Sequence, residues 1–408
     1  ANIGTQLIKD GVKAVIVSGW EVDDNAALEF ANIFYQRMLD NNDSFGDAVK
    51  IARERIYNNY RYSNTWGAFQ CYGDPHYKFN VPVTKKENPG STRRAGKLAQ
   101  QIENELDDII SKSEITFYNQ DDLYKHLLLV SEDIKNNEIK TPEIKEKEAS
   151  AYVEFSEYKI AIDIFVKLFN EDKANYSVTS LEKFQNILSK QMLKEYRTDP
   201  KNARLYLKGI DKSIDNLNKL AEISETPRRF ILMGSAYKRK AYIIKETKAR
   251  IKLLEKAALY YQKAWKLAGE TELYAYANWV ILEAIIFQLQ GHKWVKKISA
   301  QKYEVPDLAT IKKTIHQLQK KEQSQDPDYW DMTVSATAEL SLLLLTGSPG
   351  IDTVSNKFIE LWQKAGSKNK KNVQLELLEL LVEFYNFPKG KKIQDKLKQV
   401  KETIKKAI

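Results

Sequence analysis

Residues 11–35, GVKAVIVSGWEVDDNAALEFANIFY, decide the fold of what surrounds them. Ala14-Val15-Ile16-Val17 is apolar at every position, the pattern of a strand covered on both faces in a parallel sheet rather than one that alternates between core and water. Ser18-Gly19-Trp20 ends it. Asp23 or Asp24 then offers a carboxylate to the free N–H groups of a helix in which Ala27, Phe30, Ala31, Phe34 and Met38 recur at the three/four spacing of a buried stripe. Strand, turn and packed helix in that order are the unit of an α/β domain.

On the upstream side, Ile3, Leu7 and Ile8 give a short helix its apolar face, and Asp10-Gly11 reads as its stop. Downstream, Ser44 and Asp47 form a weak capping box for a second helix to about Tyr60, with Ala48, Ala52 and Ile56 in line. A final strand is expected from Trp66 towards Tyr72, closed by Gly73-Asp74-Pro75. Two strands are too few for an open parallel sheet. The others are therefore expected from another chain or from a part of the precursor that lies before Ala1.

The segment 81–92 holds Pro82, Pro89 and Gly90 and suits a linker, which divides the chain into 1–80, the linker, and a helical part over 93–408. In EASAYVEFSEYKIAIDIFVKLF, residues 148–169, Ala149, Tyr152, Ala161, Phe165 and Leu168 sit at the small and large positions of a tetratricopeptide repeat. A second, looser copy places Gly234 and Tyr237 on one helix and Ala257, Tyr261 and Ala264 on the next. Further helices are expected at about 94–113, 271–290, 327–346, 354–365 and 372–386. The whole reads as a tetratricopeptide-like α-solenoid presenting an extended surface to a protein. At the end, Ile393, Leu397, Val400 and Ile404 line one side of a Lys-loaded helix, read as the cap of that solenoid rather than as a membrane-surface helix.

The 408 residues carry 64 Lys+Arg against 55 Asp+Glu. Residues 1–80 hold 8 basic and 10 acidic side chains, so the basic excess belongs to the helical part. Lysines without interleaved aromatics describe a solvated helical surface better than a base-stacking one, which disfavours nucleic acid as a partner. No apolar run is long enough to span a membrane, and Cys71 as the single cysteine excludes an intrachain disulfide. The expected location is the cytoplasm. His76, His126, His292 and His316 stand in no metal-ligand spacing, and no glycine-rich phosphate loop is present, so neither metal nor cofactor is expected.

The stretch 11–35 together with NTWGAFQCYGDP, 64–75, resembles the closing part of the CHAT domain, a caspase-like peptidase often joined to tetratricopeptide repeats. The likeness rests on Gly19-Trp20 with Val22-Asp23-Asp24, on Phe34-Tyr35, and on Gln70 with Tyr72-Gly73-Asp74-Pro75. It implies an α/β fold class, the C-terminal portion of a caspase-like α/β/α sandwich, followed by the all-α solenoid. In that family a His and a Cys at strand ends form the catalytic dyad, and both lie upstream of the matched segment. The resemblance therefore implies no catalytic residue here, and the N-terminal catalytic portion of the same protease as a partner. Such enzymes are often cut between the segment bearing the nucleophile and the one after it, which makes a mature small subunit a natural reading of a chain starting at Ala1.

What the segment would supply is the substrate pocket. Trp20-Glu21-Val22-Asp23-Asp24 is also similar to a stretch of separase, in which the aspartate two places after the valine receives a basic P1 side chain, here Asp24. A carboxylate can take two charge-assisted hydrogen bonds from an Arg guanidinium. Asp23 is read as the helix cap beside that pocket, with Asp24 as the pocket residue, and Trp20 could wall the pocket or sit in the core. The family setting implies a regulated bacterial endopeptidase of defence or cell death that cleaves a protein partner. A non-catalytic helical scaffold that binds proteins is the alternative.

Overall fold

The computed structural model describes residues 8, 12–20, 22–61, 63–78, 89–115, 118–139, 141–171, 176–291, 294, 304–322, 329–347 and 350–406. Of the upstream helix only Ile8 falls within them, as a helical residue; the rest, with the Asp10-Gly11 stop, lies outside. The chain divides into two compact units, residues 1–98 and 99–408.

In the first unit, β1 (Ala14–Ser18) leads to α1 (Asp24–Leu39), α2 (Phe45–Asn59), a one-turn α3 (Thr65–Ala68) and β2 (Phe69–Gly73). Asp23 opens α1 by accepting the Ala26 N–H at 2.9 Å. Ser44 opens α2, its hydroxyl accepting from Asp47 N at 3.2 Å and donating to the Asp47 carboxylate at 2.6 Å. The carbonyls of Pro75 and Tyr77 take the next two free N–H groups of α2, at Gly46 and Phe45. The turn after β2 is thus fastened to a helix start. The core between the helices and the sheet holds Ala26, Phe30, Phe34, Met38, Ala48, Ala52 and Ile56, with Ala14, Ile16, Phe69 and Cys71 packed on it from the strands.

Two expectations are corrected here. Trp66 does not begin the last strand: Thr65–Ala68 make a helical turn, and β2 runs Phe69–Gly73. The two strands pair antiparallel, Ile16 opposite Cys71 and Val17 opposite Gln70. An apolar run covered on both faces reports burial and carries no information about the direction of its neighbour. Among the described residues each strand has one hydrogen-bonded neighbour, and Val15 and Val17, with Tyr72 and Gln70 opposite them, form the face turned away from the helical core.

The second unit begins within α4 (Pro89–Ser113). Residues 89–92, the expected end of the linker, are already helical, and the preceding part of that segment lies outside the described residues. Then follow α5 (Gln120–Asn136), α6 (Pro142–Glu154), α7 (Tyr158–Phe169), α8 (Val178–Thr198), α9 (Ala203–Ile223), α10 (Pro227–Ile243), α11 (Thr247–Leu267), α12 (Leu273–Leu289), α13 (Leu308–Glu322), α14 (Tyr329–Thr346), α15 (Ile351–Lys364), α16 (Lys368–Phe384) and α17 (Lys391–Lys406). From α6 to α12 each helix packs on the next, which is the stacking of an α-solenoid.

The repeat residues fall where small-to-large packing needs them. Ala149 and Tyr152 of α6 face Ala161, Phe165 and Leu168 of α7, all buried. Gly234 of α10 lies against Tyr261 of α11, and a Cβ at Gly234 would stand 2.8 Å from that ring. The wide sequence interval between these two positions reflects longer helices, 17 and 21 residues. In α17, Leu397, Val400 and Ile404 are buried and Ile393 packs beside them. Its apolar stripe is therefore used inside the protein. No described helix is long and apolar enough to cross a membrane.

Candidate substrate-binding edge

The carboxyl end of β1, the N-terminus of α1 and the turn α3 meet at one edge of the first unit. Gly19 donates its N–H to the Ala68 carbonyl at 2.8 Å, and Asp23 donates its N–H to Thr65 Oγ1 at 2.9 Å. Thr65 is fully buried and shares its hydroxyl with Ser63 Oγ at 2.7 Å. These bonds tie residues 63–68 to residues 19–23, although some forty positions separate them in sequence. The Trp20 ring lies over Gly67, where an added Cβ would stand 3.6 Å from Cζ2. It is 47% exposed, so it is not a core residue. Beside it, Trp66 and Tyr57 pair edge to face at 5.3 Å, both exposed.

The two aspartates divide their roles. Asp23 is half-buried and spent on the helix cap. Asp24, the first residue of α1, is exposed, and no ion pair or side-chain hydrogen bond engages its carboxylate among the described residues. A carboxylate in a first turn agrees with the partial positive charge there, and one left unspent can accept from a cation. Reasoning from sequence missed Ser63, Thr65 and Gly67, which hold this edge together.

Cys71 faces the core of this unit, and its thiol donates to the Phe69 carbonyl at 3.8 Å. Burial pushes the thiol up, with Arg53 pulling partly the other way. A thiol raised by burial holds less thiolate at neutral pH and is a poor nucleophile. His76 is exposed, and its N–H is taken by Asp74 Oδ1 at 2.8 Å in the turn. No group of three or more potential metal ligands occurs among the described residues.

In the second unit the helices α6, α8 and α10 open successive hairpins, and buried polar side chains gather on them. Glu182 of α8 binds Arg229 at 2.7 Å and Arg228 at 3.2 Å. Lys238 of α10 donates to Asn278 Oδ1 of α12 at 2.6 Å and stands 4.9 Å over the Tyr261 ring. Burial holds its ammonium below the usual lysine range. Arg239 donates to Ser189 Oγ and Asn186 Oδ1 of α8. These groups are buried and paired with one another, so they join the hairpins through charge and hydrogen bonds.

Residues 1–74 match the CHAT domain, and residues 156–283 match the Tetratricopeptide Repeats-Sensor family. The first match contains β1, α1, α2, α3 and β2; the second begins just before α7 and ends inside α12. No curated protein matches the chain.

Proposed function

We propose that the chain is the small-subunit-like portion of a regulated bacterial cysteine endopeptidase that cleaves a protein partner in a defence or cell-death response. In this reading residues 1–80 complete the sheet and the S1 pocket of a catalytic portion carrying the His and Cys, residues 81–92 connect the two parts, and the helical residues 93–408 bind a regulator or the substrate. The observation that carries it is the placement of Asp24: an exposed, unengaged carboxylate beside an exposed indole, in a segment that matches the CHAT domain. Asp24 receives a guanidinium or ammonium at P1, Trp20 walls its aliphatic stem, and Asp23 holds the helix start in place.

The test is hydrolysis of peptides differing only at P1 by the chain assembled with its catalytic portion. Asp24→Ala is expected to cut kcat/KM for an Arg substrate by about 10- to 100-fold, the worth of a hydrogen bond to a charged group, while leaving a P1-Leu substrate unchanged. An unchanged rate and preference removes Asp24 from the pocket. The second reading is a non-catalytic helical scaffold binding proteins, supported by the successive packing of the helices from α6 to α12. Purification of the chain from its native source with a second polypeptide bearing a strand-end His and Cys supports the protease; purification alone supports the scaffold.

A further inference from the structure

Helix α16 lies across α6, α8 and α10 with its polar side towards them. Positions 369, 372, 376, 379 and 383 fall on one side of a 3.6-residue helix, and each is matched by a partner. Asn369 Oδ1 accepts from Tyr158 OH at 2.8 Å and from Lys190 Nζ at 3.1 Å. Asn372 donates to Ser156 Oγ at 2.9 Å. Glu376 binds Arg239 at 2.7 Å. Glu379 binds Arg197 at 2.9 Å and Lys401 of α17 at 3.6 Å. Glu383 binds Lys245 at 2.6 Å and Arg250 at 3.1 Å. At the start of the helix Ser367 donates to the Glu154 carboxylate at 2.6 Å.

A helix laid on a protein normally turns its apolar side inward. Here Leu378, Leu381 and Tyr385 lie on the opposite side of α16 and, with the flanking Leu380 and Phe384, are buried in the core, while the side of residues 369, 372, 376, 379 and 383 is held by ion pairs and hydrogen bonds. Water and salt can replace such bonds when the surfaces part, whereas an apolar seam would have to expose hydrocarbon. The repeats meanwhile present four cations, Arg197, Arg239, Lys245 and Arg250, that pair with carboxylates at the spacing i, i+3 and i+7 on one helix.

We infer that the face made by α8, α10 and the start of α11 is a binding site for an acidic helix of a partner protein, and that α16 is its tethered occupant, which the partner replaces. The inference deepens the partner-binding half of the proposed function and is independent of the protease half. Recognition runs through carboxylates on one side of the incoming helix meeting this row of cations. Displacement lifts α16 from this row of cations and leaves the repeats folded.

The probe is a labelled peptide of residues 368–386 made soluble by Leu378→Ala, Leu381→Ala and Tyr385→Ala, titrated by fluorescence anisotropy against the full chain. A chain variant with Glu376→Gln, Glu379→Gln and Glu383→Gln loosens the tethered helix. It is expected to bind the peptide at least about tenfold more tightly than the unaltered chain, and a peptide with its three glutamates changed to glutamine is expected to bind at least about tenfold more weakly. Equal affinity of the two chains, or of the two peptides, overturns the inference. A second measurement needs no change to the seam: nitroxide labels at Lys194→Cys and Asn386→Cys, both exposed sites, in a Cys71→Ser background. Raising salt from about 0.05 to about 0.5 M, or adding the peptide, is expected to populate a second, longer distance. A single unchanged distance under both conditions overturns the tethered-occupant inference; peptide binding with that single distance still leaves partner binding standing.

Discussion

Gly73 shows how one residue can fix a strand end. Its φ of +123° lies where L side chains rarely go, and a Cβ would stand 2.4 Å from the Lys13 carbonyl oxygen at the start of β1. Neither obstacle can relax, because the close atom is backbone of the paired strand. Gly73→Ala is expected to destabilise the first unit by about 2 to 3 kcal/mol, read as a lower thermal midpoint with the midpoint of the helical unit unchanged. Sequence reasoning recognised this glycine as a turn residue. It placed Asp23 at the cap and Asp24 in the pocket, and the Asp23 carboxylate does accept the Ala26 N–H. It missed Thr65, whose role comes from the backbone of Asp23 arriving beside it.

At the scale of elements, the helices with apolar stripes were legible, and so were the small residues between them. Strand direction was not, because it is set by how α1 and α2 return the chain. The buried polar face of the repeats was equally hidden: Lys190, Lys238 and Arg239 read as surface residues until their partners on other helices are in place. The contact of α10 with α11 gives a test of the repeat packing. Replacing Gly234 by Ala gains about 1 kcal/mol of helix propensity, yet forces a methyl to 2.8 Å from a fully buried Tyr261 ring, which costs about 1 to 3 kcal/mol. A net loss is expected in urea unfolding. Tyr261→Leu combined with it should cost less than the sum of the two single changes, which a double-mutant cycle reads directly.

For the molecule as a whole, the polar seam under α16 makes stability depend on pH. Burial alone would raise the Glu376 carboxyl, but Arg239 and Lys190 outweigh it and hold the group below its ordinary value of 4.5. A carboxyl lowered by folding stabilises above that ordinary value, and the contribution is lost as pH falls through the lower folded value. Glu376→Gln is expected to remove about 3 kcal/mol from the helical unit at neutral pH, leaving Arg239 buried without its counter-charge. It should also flatten the acid limb in unfolding curves taken between about pH 3 and about pH 7. Glu154, which accepts from Ser367 beside the same helix, works the other way: burial raises its carboxyl, so its contribution is greatest in acid and fades as pH rises. An acid limb of equal slope in the glutamine variant would mean that another carboxyl carries it.

From Leu273 to Phe287 every residue of α12 but Tyr274 is buried, while α11 and α14 both pack on it. An open array of hairpins can gain or lose a copy, because every copy keeps one side for water. A helix buried on nearly every side permits no such editing. It works as a keystone, so the hairpins before it and the helices after it must come together in a single event. Lengthening this protein by duplication would have to happen at its margins.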